Sequence, residues 1–253
     1  MSKHPPIALQ LYSVRDDCAR DLPGVLKAVA KMGYTGVEFA GYHKFDAKAI
    51  RKMLDDNGLK AAGAHVGIDT LLGGELDASI AFHKEIGNHL LIVPYLGGKY
   101  TESAQAWQET ARTMNEIAAR LKPHGMRTGY HNHTHEFQPV AGSDKLPWDI
   151  FFGGTDKSVV MQFDTGNALH GGKDAMPFLK SYPGRAASVH IKEHSDTKKD
   201  ALLGEGDVPF PAILKELERQ NGTEWLIVEQ ETYPVPPLEC AERCLRNLER
   251  ILG

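Results

Sequence analysis

The chain contains little cysteine, with Cys18, Cys240 and Cys244 as the three examples in 253 residues. Three cysteines do not form a disulfide framework, and we interpret the two near the C-terminus as small buried hydrophobes. No apolar run approaches the roughly 18 residues that a membrane-spanning helix needs, and the opening "MSKHPP" lacks the apolar core of a signal peptide. These features predict a cytoplasmic protein with no membrane partner.

The chain also lacks an excess of positive charge, because it has 29 Lys and Arg residues and 33 Asp and Glu residues. A nucleic-acid partner usually requires a basic face, so none is expected here. No GxGxxG motif follows the first predicted strand, which disfavours a dinucleotide-binding fold. The sequence has no linker, no solenoid repeat and no low-complexity segment, so we expect one domain over residues 1–253.

Short apolar segments alternate with longer amphipathic ones along the whole chain. Eight segments predict strands: "IALQL", "GVEFA", "LKAAGAH", "HLLIVPY", "MRTGYHNH", "SVVMQFD", "AASVHIK" and "EWLIVEQE". Helices are predicted between them: Asp21–Met32, Asp46–Gly58, Asp77–Gly87, Ser103–Leu121, a short one near Trp148–Phe152, Ala175–Tyr182, Phe210–Arg219 and Leu238–Leu252. Strict alternation predicts an α/β fold with a parallel sheet, and eight units favour a (β/α)8 TIM barrel over an open doubly wound sheet.

Polar residues stand near the C-terminal ends of several predicted strands, where the active site of a (β/α)8 barrel lies. Those of the last four units are His131, Asn132, His133, Asp164, His190, Lys192 and Glu229. A carboxylate inside the apolar "LIVEQ" must be paired or bound to a metal, because burying it alone is costly. Mixed imidazole and carboxylate ligands suit Mn, Zn, Co or Fe better than Ca or Mg.

Several of these residues also have an ordinary structural interpretation. Asp164 is placed to cap a helix, His190 to be a core histidine, and Glu136 to cap a turn. Lys192 is equally compatible with a solvated position at a strand end. His83, His89 and His124 fall on predicted helices or turns and are expected at the surface.

Motifs spread over the chain resemble the xylose isomerase-like TIM-barrel superfamily of sugar isomerases and epimerases. They are "LQLYSVRDD", "GYTGVEFAG", "AGAHV", "GYHNHTHEF", "MQFDTGNALHGG", "SVHIKEHS", "LGEGDVPFPAIL" and "WLIVEQETY". The resemblance implies a metal held by one ligand from each of strands 5 to 8. Asp164, His190 and Glu229 match the last three positions. The epimerases have Glu at the first position, where this chain has His131, with His133 or Glu136 as alternatives.

The missing strand-5 glutamate disfavours epimerisation, because the epimerases use two glutamates as bases on opposite faces of the sugar. The resemblance implies a metal-dependent isomerase-type enzyme that acts on a keto-sugar or cyclitol through an enediolate. The alternatives are a dehydratase or hydratase, and a non-catalytic sugar-binding barrel. The expected proton-transfer residues are Glu229, Glu136, His133 and Lys192, and the expected substrate contacts are Gln10, Tyr12, Glu38, His65 and Asn167.

Two further expectations follow from the resemblance. In the nuclease branch of the superfamily, a zinc-binding histidine lies three residues after the strand-6 aspartate. This chain has Asn167 there, so action on DNA is not expected. Barrels of this kind often pair, so a homodimer is an expected assembly, with a small sugar as the substrate.

Overall fold

Eight parallel strands close into a barrel in the computed structural model, which describes residues 4–253. Met1–Lys3, part of the segment tested above for a signal peptide, lie outside the described residues. The strands are β1 Ile7–Gln10, β2 Gly36–Phe39, β3 Lys60–His65, β4 Leu90–Val93, β5 Arg127–His131, β6 Val160–Asp164, β7 Ser188–Lys192 and β8 Trp225–Glu229. Each strand pairs with the next, and β8 pairs with β1. The predicted (β/α)8 barrel is therefore confirmed.

Helices follow the strands around the barrel. They are α1 Arg15–Met32, α2 Ala47–Asn57, α3 Glu75–Ile86, α4 Ala104–Leu121, α5 Pro147–Gly154, α6 Thr165–His170, α7 Ala175–Ser181, α8 Phe210–Gln220 and α9 Pro237–Leu252. The predicted start of the first helix at Asp21 marks a real interruption within α1, where the backbone leaves helical geometry. The Asp21 carboxylate then accepts a hydrogen bond from the Gly24 amide and begins the second segment. None of the helices in residues 4–253 is long and apolar enough to cross a membrane.

Two apolar cores hold this architecture together. The larger one lies between strands and helices, and α4 contributes its buried stripe of Trp107, Met114 and Leu121. The smaller one fills the barrel with Ala8, Ala62, Leu90, Ile92, Val160, Ala187, Trp225 and Ile227. Burial of each large side chain contributes roughly 1.5–3 kcal/mol.

A layer of buried polar side chains lies inside the barrel, on the β1, β2, β6 and β7 strands. We call it the polar layer, and it consists of Gln10, Glu38, Gln162 and Ser188, all with zero exposure. Strand register sets Gln10 opposite Glu38. Gln162 Nε2 donates to Glu38 Oε1 at 2.7 Å and to Ser188 Oγ at 2.9 Å. The polar groups of this layer are thus hydrogen-bonded to one another inside the barrel.

His83 is buried, so its predicted surface position is wrong. It lies on α3 with Leu76, Ile80 and Ile86, and all four occupy the inner face of that helix. Its Nδ1 accepts a hydrogen bond from Asn88 Nδ2 at 2.9 Å. His124 is exposed as predicted, and His89 is partly exposed.

Burial lowers the pKa of His83 from 6.5 to about 4. The unfolded chain therefore takes up a proton below pH 6.5 while the folded chain does not, and stability falls as pH drops from about 6.5 to 4. We expect His83→Gln to flatten this part of the curve of unfolding midpoint against pH. His124→Gln, at an exposed histidine, serves as the control and should leave the curve unchanged. Identical curves for wild type and His83→Gln would contradict the assignment.

Candidate active site

A cavity of about 450 Å³ opens at the C-terminal ends of the strands. It is lined by Tyr12, Ala40, Gly41, His65, Pro94, Tyr95, His131, His133, Lys192, Glu229 and Glu231. Its volume falls in the range of small-ligand sites, roughly 300–1,000 Å³. Active sites of (β/α)8 enzymes lie at this end of the barrel.

Four residues from consecutive strands form a cluster at the floor of the cavity. They are His131, Asp164, His190 and Glu229, and we call them the ligand cluster. Each offers one ligand atom, these atoms lie within 4.8 Å of one another, and all four residues are buried. Strand register contributes directly, because Asp164 of β6 pairs with His190 of β7. The cluster could hold a divalent cation.

Asp164 combines a structural contact with a free oxygen. Its Oδ1 accepts a hydrogen bond from the Asn167 amide at 2.6 Å and caps α6. Its Oδ2 is buried and has no hydrogen-bond partner within residues 4–253. Leaving a buried carboxylate oxygen without a partner is costly. A cation bound beside Oδ2 removes that cost, so the capping and ligand interpretations of this residue are compatible.

The spacing of the ligand atoms fits a first-row cation. Two ligands about 2.1 Å from a tetrahedral ion are about 3.4 Å apart. Asp164 Oδ2 lies 3.8 Å from His190 Nδ1 and 4.0 Å from His131 Nε2. His190 Nδ1 lies 3.0 Å from Glu229 Oε2. Small movements bring these atoms into a shared shell, and two imidazoles with two carboxylates suit Mn, Fe, Co or Zn.

Hydrogen bonds fix the ring of His190 from both sides. Its Nε2 donates to Glu38 Oε2 at 2.6 Å, and its Nδ1 contacts Glu229. Burial lowers the pKa of His190, but Glu38 and Glu229 outweigh it and raise the pKa to about 10 without a metal. The metal-free ring therefore carries a proton on both nitrogens, and Nδ1 is the nitrogen that would give up its proton to hold a cation.

Lys192 is largely buried at the edge of the cavity, with 11% of its side chain exposed. Its ammonium pairs with Glu231 and lies 3.7 Å from Glu229 Oε2. Burial lowers the pKa of Lys192, but the Glu229, Asp164 and Glu231 carboxylates outweigh it and raise the pKa overall. Lys192 is thus a fixed positive charge in the cavity wall rather than a solvated lysine.

His133 also lines the cavity, two residues after His131, which is the last residue of β5. Burial and the Lys192 charge lower its pKa from 6.5 to about 4, so the ring is neutral near pH 7. Its Nδ1 is buried and has no hydrogen-bond partner in the described part of the chain. A neutral imidazole with an unused nitrogen has a lone pair that can accept a proton.

Glu136 does not line the cavity, in contrast to the other expected proton-transfer residues. The turn at His135–Phe137 folds its carboxylate back into the protein, where it has zero exposure. Its Oε1 accepts from the Tyr130 hydroxyl and its Oε2 from the His133 amide at 2.9 Å. Both oxygens are therefore engaged in holding the loop that carries His133.

The five expected substrate contacts separate into three groups. Tyr12 and His65 line the cavity. Gln10 and Glu38 belong to the polar layer beneath it, and Gln10 Nε2 donates to Glu38 Oε2 at 2.7 Å. Asn167 lines a neighbouring cavity of about 540 Å³ that shares Lys192 and Glu231 with this one, and its Nδ2 donates to the Asn132 carbonyl at 3.1 Å. The structure thus places Gln10 and Glu38 in supporting positions.

Three residues of the site lie outside the expected set: Gln162, Tyr95, and Glu231, which pairs with Lys192 in the cavity wall. Gln162 precedes Asp164 by two positions on β6, so strand alternation alone puts both on the barrel interior. Its Oε1 accepts from His65 Nε2 at 2.7 Å. Tyr95 is 60% exposed at the rim of the cavity and contacts the ring of His133. Its position just after β4 was the available signal, because the active site of a (β/α)8 barrel lies at the C-terminal strand ends.

Comparison with known proteins adds to this geometry. The chain is 27% identical over 265 aligned residues to an inosose dehydratase of Clostridium perfringens, with 88% of each chain covered. Its fold matches a sugar phosphate isomerase/epimerase structure of Parabacteroides distasonis with a TM-score of 0.84, at 23% identity, covering 98% of this chain and 100% of the other. The IOLI protein, solved with a bound zinc atom, gives a TM-score of 0.76 at 13% identity and 98% coverage of both chains.

A family model described as xylose isomerase-like TIM barrel matches residues 26–251. That range includes seven of the eight strands and every residue of the ligand cluster. The chain belongs to the xylose isomerase-like TIM barrel family.

Proposed function

We propose that this protein is a metal-dependent lyase that removes water from a cyclic polyhydroxy ketone of the inosose type. The observation that carries the proposal is that the cavity lining holds a neutral imidazole, His133, and a fixed ammonium, Lys192, beside the ligand cluster. Of the described residues that line the cavity, both carboxylates, Glu229 and Glu231, come from the β8 end. Epimerisation needs a base on each face of the substrate, whereas elimination of water from one face needs a single base.

The ligand cluster supports a reaction at a carbonyl group. When bound there, a divalent cation acts as a Lewis acid that stabilises negative charge on the substrate oxygen. His131, Asp164, His190 and Glu229 would hold it. Because Glu229 is both a predicted ligand and the partner of Lys192, it is less available as a base than His133 is.

Proton transfer is assigned to His133. Its neutral imidazole takes the proton from the carbon next to the substrate carbonyl, and the carbon–oxygen bond at the adjoining carbon then breaks. The same imidazole returns that proton to the departing hydroxide, so the products are one water and one unsaturated ketone. Lys192 stays an ammonium, because three carboxylates surround it, and donates a hydrogen bond to a substrate oxygen.

The relatives favour a lyase over an isomerase. The aligned Clostridium perfringens protein is named an inosose dehydratase, and the alignment spans most of both chains. A cavity of about 450 Å³ is sufficient for a single six-membered ring. Tyr12 and Tyr95 at its rim are suited to contact the apolar faces of such a ring.

The test uses 2-keto-myo-inositol with protein loaded with Mn, Co or Zn. We expect release of water and growth of the ultraviolet absorbance of a conjugated unsaturated ketone, which chelation abolishes and added metal restores. In heavy water, exchange of the α-proton without elimination would contradict the proposal and favour an isomerase. Binding of the ketone that survives chelation, with no turnover under any metal, would favour a sugar-binding barrel.

A further inference from the structure

Two possible cation sites overlap in this barrel. The first is the ligand cluster of His131, Asp164, His190 and Glu229. The second consists of His65, His131 and His190, whose ligand nitrogens also lie within 4.8 Å of one another. The rings of His65 and His190 are parallel, 8° apart, with centroids separated by 5.3 Å. Because His131 and His190 belong to both sets, the residues around them must determine which set binds the ion.

Glu38 lies where the two sets meet. It has zero exposure, and its Oε2 accepts from His190 Nε2 at 2.6 Å and lies 3.2 Å from His65 Nε2. Gln10 and Gln162 each donate a further hydrogen bond to it at 2.7 Å. Gly63 leaves the space for this carboxylate, because a Cβ there would stand 2.6 Å from Glu38 Oε1.

The direction of these bonds determines which nitrogen of His190 is free. A carboxylate at Nε2 keeps a hydrogen on that nitrogen, and the lone pair is then available at Nδ1, toward Asp164 and Glu229. If the carboxylate is lost, the Nδ1–H tautomer is favoured by its contact with Glu229, and the Nε2 lone pair points to the place of Glu38 Oε2, which lies 3.2 Å from His65 Nε2. The tautomer of His190 therefore selects the ligand set.

We propose that Glu38 is a positioning residue that directs the metal ion to the ligand cluster and denies it the three-histidine site. The proposal rests on the metal cluster of the proposed function but not on turnover. Through Glu38, the barrel selects a mixed nitrogen and oxygen shell over a shell of three nitrogens. The polar layer is thus the element that defines the chemistry of the ion above it.

The test counts nitrogen ligands with Cu²⁺ as the probe, by electron paramagnetic resonance of the full-length protein. Wild type should show coupling to two nitrogens, and Glu38→Gln to three, with Zn²⁺ affinity lowered by about 10- to 100-fold. Adding His65→Gln to Glu38→Gln should remove the third nitrogen. Gly63→Ala, which displaces the carboxylate without removing it, should change the spectrum in the same direction as Glu38→Gln.

The matched control is Glu224→Gln, at a carboxylate that accepts from His89 at 2.7 Å just before β8 begins. It should leave the Cu²⁺ spectrum and the Zn²⁺ affinity unchanged. Two nitrogens and wild-type affinity in folded Glu38→Gln would overturn the proposal, as would three nitrogens in wild type. Neither of these metal-binding results contradicts the proposed function. A wild-type protein that binds metal but does not eliminate water would contradict the proposed function and would leave the role of Glu38 unchanged.

Discussion

Replacement of Asp164 by asparagine is expected to abolish metal binding and to lower turnover by about 10³-fold or more, the order of effect that loss of a charge-stabilising group produces. Asparagine keeps an oxygen for the Asn167 amide and can still cap α6. It puts an amide nitrogen in place of Oδ2, which has no hydrogen-bond partner in the described residues and faces His131 and His190. The variant therefore separates the ligand role from the capping role.

The measurements are the metal content after dialysis, the thermal midpoint and the rate of elimination. Asp46→Asn is the control, because Asp46 likewise caps a helix, accepting from the Ala49 amide at 2.8 Å, but is exposed and does not line the cavity. Both variants should retain most of their stability, and Asp46→Asn should retain its metal. Normal metal content in folded Asp164→Asn would remove this residue from the ligand cluster.

Replacement of His133 by phenylalanine is expected to lower kcat by about 10²- to 10⁴-fold, the usual contribution of a general base, with metal content unchanged. Phenylalanine keeps a ring beside Tyr95 but has no nitrogen to accept a proton. The wild-type rate should also depend on pH in a specific way. Because burial and Lys192 lower the pKa of His133 to about 4, the base is active above that pH.

Accordingly, kcat/KM of the wild type should be level from about pH 5 to 7 and should decline only near pH 4 or below. His135→Phe is the matched control, since His135 lies on the same loop, is partly exposed and does not line the cavity. It should retain nearly full activity. An acid limb near the ordinary histidine pKa of about 6.5 would argue against His133 as the base.

Periodicity was sufficient to predict the barrel, because short strand segments alternate with helices along the whole chain, and every long helix has a continuous apolar stripe. The positions of Asp164, His190 and Glu229 followed from the same rule, since strand ends converge in a closed barrel. Helix boundaries were less accurate. α1 begins six residues before Asp21, where a local break resembles a helix start.

The roles of the supporting residues were harder to predict, because they depend on contacts between distant strands. Glu38 and His190 are 152 positions apart, and their hydrogen bond follows from the closure of the barrel. Glu136 shows that the direction of a short local turn is also difficult to predict. The family resemblance suggested Glu136 as an alternative ligand and as a base, but a three-residue turn directs it into the core. Sequence spacing alone does not determine which way such a turn points.

The contact between Tyr130 and Glu136 has a consequence for how this enzyme can be altered by evolution or in the laboratory. Tyr130 packs against Trp107 of α4 and Phe151 of α5, and its hydroxyl holds the carboxylate that binds the His133 amide. Substitutions that repack α4 or α5 therefore shift the loop that carries the proposed base, His133, without contacting the ligand cluster. Screens for improved rate should accordingly recover distal substitutions on these two helices, and such variants would change rate while leaving metal affinity intact.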